Sequence, residues 1–104
     1  MENSKITNWG ILGCGKIAHK FAEDLQKLPY AKITGVASRS IDKAKEFGLK
    51  FNSTNFYDSY DALVQSESVD VIYIATPHVF HKEHTLLCLN NKKAVLCEKP
   101  FGMN

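Results

Sequence analysis

The sequence has little of what marks the specialised classes of protein. Among its 104 residues there are only three cysteines, three prolines and six glycines. So little proline and glycine excludes collagen-like and low-complexity chains, and a hydrophobic content of 44% excludes the polar composition of disordered proteins. Because the cysteines show no short paired spacing, the sequence predicts reduced thiols and a cytoplasmic protein rather than a disulfide framework.

Excess charge and long apolar runs are also missing. Lys and Arg number 13 against 11 Asp and Glu, a net charge of +2, which is too small to predict nucleic acid or an anionic membrane as a partner. The apolar run at 69–75 is interrupted by Asp70 and is too short to span a bilayer. The first seven residues lack the apolar stretch of a signal peptide. We therefore expect one globular domain, since a chain of this size buries about 60–68% of its unfolded surface.

Short β-branched runs alternate with segments of helical period along the whole chain. The predicted strands are 7–12, 31–38, 55–57, 69–75 and 94–97. The predicted helices are 16–28, 41–49, a short helix after Asp58 or Ser59 that buries Tyr60, Leu63 and Val64, and 79–91. In the first helix, one face carries Ile17, Phe21, Leu25 and Leu28. This order predicts an α/β fold, a Rossmann doubly wound parallel sheet with right-handed crossovers.

The loop after the first predicted strand has the pattern G-x-G-x-x-A, on Gly13, Gly15 and Ala18. Gly13 permits a tight turn, Gly15 lets a pyrophosphate approach the backbone, and Ala18 lets the helix pack close to the strand. The free amides at the helix start favour an anion. The alternative is a tight strand-to-helix turn with no ligand. Because the loop follows a strand and opens a helix, we favour a dinucleotide site.

The end of the second predicted strand indicates which dinucleotide would bind. NAD sites usually have an acidic residue about 20 residues past the glycines, but here the sequence reads Ser38, Arg39, Ser40, and Asp42 is already in the next helix. An Arg can fork onto a 2′-phosphate, and Ser38 and Lys43 can add donors. This predicts NADP over NAD. The alternative is an exposed Arg39 with no ligand role.

The histidines and cysteines of the sequence give little indication of a metal site or a reactive thiol. His81 and His84 are three residues apart without a third ligand of suitable spacing, so no metal site is predicted. We expect His84 on the helix surface. Cys14 stands where a helix start could lower its thiol pKa, but a small side chain filling the turn is favoured. Cys88 and Cys97 fit core positions.

Two later strings, with the glycine loop, carry a family resemblance. Residues 71–81 read VIYIATPHVFH and residues 93–100 read KAVLCEKP. In this order and spacing the three motifs resemble the Gfo/Idh/MocA oxidoreductase family over residues 7–103, and CEKPFGMN looks most like its dimeric dihydrodiol dehydrogenase branch. The resemblance implies an NAD(P)-dependent dehydrogenase that acts on CH–OH groups, with a sugar, cyclitol or cyclic diol as substrate.

The resemblance also implies roles for single residues. Gly13, Gly15, Lys16 and Ile17 would hold the pyrophosphate, and Ser38, Arg39 and Lys43 the 2′-phosphate of NADP. The middle of the cofactor would lie against Thr76, Pro77 and His81. Glu98 and Lys99 would lie beside the nicotinamide ribose, with Lys99 reaching the substrate hydroxyl. An ammonium there can stabilise a developing alkoxide. Without the family pattern, Lys99 would be interpreted as a solvated surface residue.

Members of this family continue into a larger α/β domain that supplies the substrate pocket and the oligomer interface. We therefore expect residues 1–104 to be the N-terminal NAD(P)-binding Rossmann domain, incomplete at its sheet edge, of a longer homo-oligomeric enzyme. The fragment alone is expected to be inactive, because hydride transfer needs a positioned acceptor. The alternatives are a dinucleotide-sensing regulatory module without catalysis and a plain interaction domain.

Overall fold

The computed structural model describes residues 6–97 as alternating strands and helices. The strands are β1 (Thr7–Leu12), β2 (Ala31–Ala37), β3 (Asn55–Tyr57), β4 (Val71–Ile74) and β5 (Ala94–Cys97). The helices are α1 (Lys16–Leu25), α2 (Ile41–Lys50), α3 (Tyr60–Val64) and α4 (His81–Asn90), the last preceded by a 3₁₀ turn, His78–Phe80. Every predicted element is present, and none of these helices is both long and apolar enough to cross a bilayer.

The five strands form one parallel sheet in the order β3-β2-β1-β4-β5. The order reverses between β1 and β4, so the chain leaves these two neighbouring strands in opposite directions across the sheet. In a doubly wound sheet this reversal opens a crevice at the carboxyl ends of the strands. The predicted Rossmann fold is confirmed.

The hydrophobic core lies in two layers, one on each face of the sheet. One layer packs α1 and α2 against residues that include Ile11, Ile33 and Tyr73. The other packs α3 and α4 against residues that include Leu12 and Ile72. Helices on both faces explain why the central strands are apolar almost throughout.

The buried face of α1 differs from the predicted one. Ile17 is 60% exposed and Leu28 is 42% exposed, whereas Ala18, Ala22 and Leu25 face the sheet. Alanines at these positions let the helix axis come close to the strands. The helix also ends three residues early, because residues 26–28 tighten into turns ahead of a proline.

Glycines in two adjacent strands bring α3 onto the sheet. A Cβ added to Gly10 would lie 2.9 Å from Val69 Cγ1, and one added to Gly35 would lie 2.9 Å from Leu63 Cδ1. Both distances are shorter than real contacts allow, so any larger residue would push α3 and the segment after it outward. This close packing sets the short distance between α3 and the sheet.

Candidate cofactor-binding site

A groove of about 800 Å³ lies at the carboxyl ends of β1 and β4. It has one wall from the glycine loop and α1 and another from the loop after β4. The residues lining it include Gly13, Cys14, Gly15, Lys16, Ile17, Tyr60, Thr76, Pro77 and His81. The structure therefore brings together the predicted pyrophosphate residues and the predicted residues of the later loop.

Gly13 and Gly15 differ in what surrounds them. Gly13 has a φ of +101°, and an added Cβ would lie 3.0 Å from Thr76 Cγ2; its N–H donates to the carbonyl oxygen of Ala37 at 2.9 Å. Gly13 thus lies where the ends of the three central strands, β1, β2 and β4, come together. An added Cβ at Gly15 would have no atom within 4 Å. Gly15 leaves open space beside the start of α1, as the approach of a ligand to the backbone requires.

The start of α1 is equipped to bind an anion. Gly15 is its N-cap, no side chain caps the helix, and its first turn has no acidic residue. The backbone N–H groups there lack intrahelical partners, and the helix dipole adds positive potential. Lys16 is exposed at the same place. The exposure of Ile17, unexpected for a core residue, puts its side chain in the groove.

A second cavity of about 320 Å³ adjoins the groove at the end of β2. Its lining residues are Cys14, Gly15, Ser38, Arg39, Ser40, Lys43 and Tyr60, so the cavity is lined by two cations and no carboxylate. The Ser38 hydroxyl accepts a hydrogen bond from Ser40 N at 3.3 Å, and the Ser40 hydroxyl caps α2 by accepting from Lys43 N at 3.4 Å. The three predicted 2′-phosphate residues therefore lie around one cavity.

Two histidines of α4 hold the loop after β4. The Nε2–H of His81 donates to the carbonyl oxygen of Thr76 at 2.8 Å. Nδ1 of His84 and the Thr76 hydroxyl share a hydrogen bond of 2.7 Å. Thr76 is thus fixed on both its backbone and its side chain, which keeps Pro77 and His81 at the groove.

The prediction that His84 lies on the helix surface was wrong. His84 is 7% exposed and packs against the rings of Tyr60 and Phe80, at centroid distances of 5.0 and 5.8 Å. The Thr76 hydroxyl gives the buried ring the hydrogen-bond partner that water would supply on the helix surface. Burial lowers the pKa of His84, more strongly than Glu83 raises it, so the ring is neutral at pH 7.

Cys14 is a small half-buried side chain in the glycine turn. Its thiol contacts the carbonyl oxygen of Ala37 at 3.6 Å. Burial raises the pKa of Cys14 to about 11, against a smaller opposite effect of Lys43. The thiol is therefore not activated by the helix start, in agreement with the interpretation favoured above. Within residues 6–97, no three His, Cys, Asp or Glu side chains come together as a metal site.

Sequence reasoning missed Tyr60 as a site residue. It was predicted to be buried, but it is half-buried and lines both the groove and the Arg39 cavity. Its position in the sequence could have indicated this role. Tyr60 directly follows the N-cap Ser59 and comes shortly after β3, at the edge of the sheet where ligands bind. Glu98 and Lys99 lie outside the described residues, so the predictions made for them stay predictions.

Comparison with known proteins places this geometry in a family. The model of the oxidoreductase family with an NAD-binding Rossmann fold, Gfo/Idh/MocA, matches residues 7–104. Trans-1,2-dihydrobenzene-1,2-diol dehydrogenase from Mus musculus is 47% identical over 98 residues, 92% of this chain and 29% of that protein. The same enzyme from Homo sapiens is 45% identical over 98 residues, again 92% and 29% of the two chains. The chain thus spans about three tenths of the length of these relatives.

Solved structures agree with the sequence relatives. The 3-ketoreductase KijD10 from Actinomadura kijaniata, crystallised with NADP and TDP-benzene, superposes with a TM-score of 0.88 at 34% identity, over 92% of this chain and 30% of that one. The scyllo-inositol dehydrogenase from Lactobacillus casei gives a TM-score of 0.86 at 25% identity, over 99% and 31% of the two chains. With the family match covering nearly the whole sequence, the chain belongs to the Gfo/Idh/MocA oxidoreductases and forms their NAD(P)-binding Rossmann domain.

Proposed function

We propose that this chain is the NADP-binding part of a dehydrogenase that acts on a hydroxyl group of a sugar, cyclitol or cyclic diol. The observation that carries the proposal is the continuous surface from the open backbone at Gly15 to the cavity around Arg39. Its first part suits a diphosphate and its second part suits a further phosphate. A dinucleotide phosphorylated on its adenosine ribose has both groups.

The residues present fit such a cofactor. The space beside Gly15 has no protein atom within 4 Å of an added Cβ, so a phosphate can approach the first N–H groups of α1. Lys16 and Ile17 would flank it, the first as a cation and the second as apolar cover. When bound, the nicotinamide ring supplies the hydride acceptor or donor.

The charge around the second cavity favours NADP over NAD. Arg39 and Lys43 are exposed cations that line it, and Ser38 beside them is 8% exposed. A guanidinium and a phosphate form bidentate charge-assisted hydrogen bonds. The free ribose hydroxyl of NAD would leave Arg39 and Lys43 without an anionic partner. No carboxylate lines the cavity to accept a hydrogen bond from that hydroxyl.

Lys99 completes the proposal as the residue that reaches the substrate hydroxyl. Its ammonium would stabilise the oxygen as negative charge develops on it and would pass the proton on. The dihydrodiol dehydrogenase and the scyllo-inositol dehydrogenase among the similar proteins support a hydroxylated ring as the substrate class, and the 3-ketoreductase supports interconversion of a hydroxyl and a ketone. Thr76, Pro77 and His81 would orient the middle of the cofactor, since Thr76 is held from two sides.

Dissociation constants for NADP⁺ and NAD⁺ test the proposal. We expect the wild type to bind NADP⁺ at least about tenfold more tightly, since a charge-assisted hydrogen bond contributes about 1.5–3 kcal/mol. Arg39→Ala and Lys43→Ala should each lose about tenfold or more in NADP⁺ affinity and little in NAD⁺ affinity. Lys45→Ala is the matched control, because Lys45 is an exposed cation of the same helix. NAD⁺ bound as tightly as NADP⁺ by the wild type would contradict the proposal.

A further inference from the structure

Tyr60 lies where the cavities of the site meet. It lines the groove at the glycine loop, the cavity around Ser38 and Lys43, and a third cavity of about 260 Å³ between Arg39 and the loop after β4. Arg39 shares two of these three cavities with it. The two side chains therefore face the same space, although 21 positions separate them in the sequence.

The ring of Tyr60 is held from two directions. Its backbone starts α3, where the Ser59 hydroxyl accepts a hydrogen bond from Ala62 N at 3.1 Å. The ring packs edge-on against the buried His84 at 5.0 Å, and His84 is itself bound to the Thr76 hydroxyl. Since both the backbone and the ring of Tyr60 are held in place, the hydroxyl at the end of the ring has little conformational freedom.

That hydroxyl belongs to a residue that lines the same two cavities as Arg39. Burial raises the pKa of Tyr60, while the positive charge of Arg39 and a hydrogen bond from its guanidinium oppose the increase. A phenol oxygen is able to accept one of the five N–H groups that a guanidinium offers. A phenol is also a neutral partner. Unlike a carboxylate, it orients the guanidinium without cancelling its charge, so the remaining N–H groups stay available to an anion.

The consequence concerns the entropy of binding. Arg39 is exposed on the turn between β2 and α2, and a long side chain there would lose rotamer freedom when it clamps a phosphate. A fixed hydrogen bond removes part of that loss before the ligand arrives. Preorganised donors therefore bind more tightly than mobile ones.

We propose that Tyr60 is a positioning residue for Arg39: its hydroxyl holds the guanidinium over the cavity and thereby increases the preference for a 2′-phosphorylated nucleotide. The inference rests on the proposed function, because it assigns Tyr60 to the same phosphate site. It adds a residue from α3 to a site otherwise built from β2 and α2. It also predicts energetic coupling between two residues that are remote in sequence.

Tyr60→Phe in the full-length protein tests the inference, since it removes the hydroxyl and keeps the ring that packs on His84. We expect NADP⁺ affinity to fall by about fivefold and NAD⁺ affinity to change by less than about twofold, typical of one lost coupling. In the Arg39→Ala background, Tyr60→Phe should have no further effect on NADP⁺ affinity. Tyr57→Phe is the matched control. It removes another tyrosine hydroxyl, bonded to Ser66 at 3.0 Å, and should leave both affinities unchanged.

Several results would overturn the inference. Equal losses for NADP⁺ and NAD⁺, an undiminished NADP⁺ preference, or the same loss with and without Arg39 would each show that Tyr60 does not act through Arg39. A Tyr60→Phe protein that unfolds at a much lower temperature than Tyr57→Phe would reduce the hydroxyl to a structural role. A wild type without NADP⁺ preference would instead contradict the proposed function, so the two failures are distinguishable.

Discussion

Gly13 and Gly15 are neighbours in the turn but have separate tasks. Gly13 is constrained by its positive φ and by Thr76 and Ala75 of the adjoining loop, whose atoms lie within 3.2 Å of an added Cβ. Gly15 has a negative φ of −85° and free space on its open side. One glycine is needed for the fold, and the other leaves room for a ligand.

Gly15→Ala and Gly13→Ala should therefore separate binding from stability. We expect Gly15→Ala to change the free energy of unfolding by less than about 0.5 kcal/mol, as for a surface change, while weakening nucleotide binding at least about tenfold. Gly13→Ala should lower the free energy of unfolding by about 1–3 kcal/mol because of its backbone strain. Denaturant unfolding and binding titrations measure both. Normal nucleotide affinity of Gly15→Ala would contradict the assignment of Gly15 to the pyrophosphate.

At the scale of elements, α4 acts as the support of the loop after β4. His81 and His84 project from one side of the helix and bond the Thr76 carbonyl and the Thr76 hydroxyl. The 3₁₀ turn before α4 carries the chain from Pro77 to the helix and leaves Val79 exposed. The position of the loop thus depends in part on a buried imidazole.

This dependence predicts how stability changes with pH. The pKa of His84 is lowered in the folded protein from its ordinary value of 6.5, so the unfolded state takes up the proton first as the pH falls. Stability should be full above about pH 6.5 and should decrease as the pH falls towards the lowered pKa of the folded state. His84→Gln, which does not titrate, should flatten the melting temperature between about pH 7 and 5.

The exposed His78 provides the control for this measurement. His78→Gln removes an imidazole three residues before His81 and should leave the pH dependence as in the wild type. The same slope in His84→Gln and in the wild type would show that other groups cause it.

At the scale of the whole molecule, the topology gathers the site from distant parts of the chain. The central strands β1, β2 and β4 bring the glycine loop, the Arg39 turn and the Thr76 loop to one edge of the sheet. β5 lies next to β4 and ends at Cys97 on this edge of the sheet, one residue before Glu98 in the sequence. The place where β5 ends supports the proposal that Lys99 lies beside the nicotinamide.

Lys99→Met in the full-length enzyme tests that position. Loss of a group that stabilises charge and moves a proton should lower kcat by about 100-fold or more. The Kd for NADP⁺ should change by less than about threefold, because the phosphates are bound elsewhere. Lys45→Met, on the exposed side of α2, should change neither quantity. A kcat near that of the wild type would remove Lys99 from the reaction.

Local patterns in the sequence predicted most of the secondary-structure elements and part of the candidate site. The bounds of β1, β3 and β5 match the prediction, and α2 differs by one residue, because periodicity and caps are properties of neighbouring residues. The degree of exposure of Ile17, Tyr60 and His84 was predicted wrongly for a common reason. Their surroundings come from other elements, and helical period alone cannot tell a ring that faces a buried hydroxyl from one that faces water.

The sequence alone determined that strands and helices alternate, that the first turn needs glycine, and that a cation rather than a carboxylate follows β2. These features depend on backbone conformation and residue type over a few positions. Only the tertiary structure decided that β1 lies between β2 and β4, that Thr76 is held by two histidines, and that Tyr60 lines the same cavities as Arg39. These contacts join residues remote along the chain, and they form when the helices on both faces of the sheet bury their apolar surface against it.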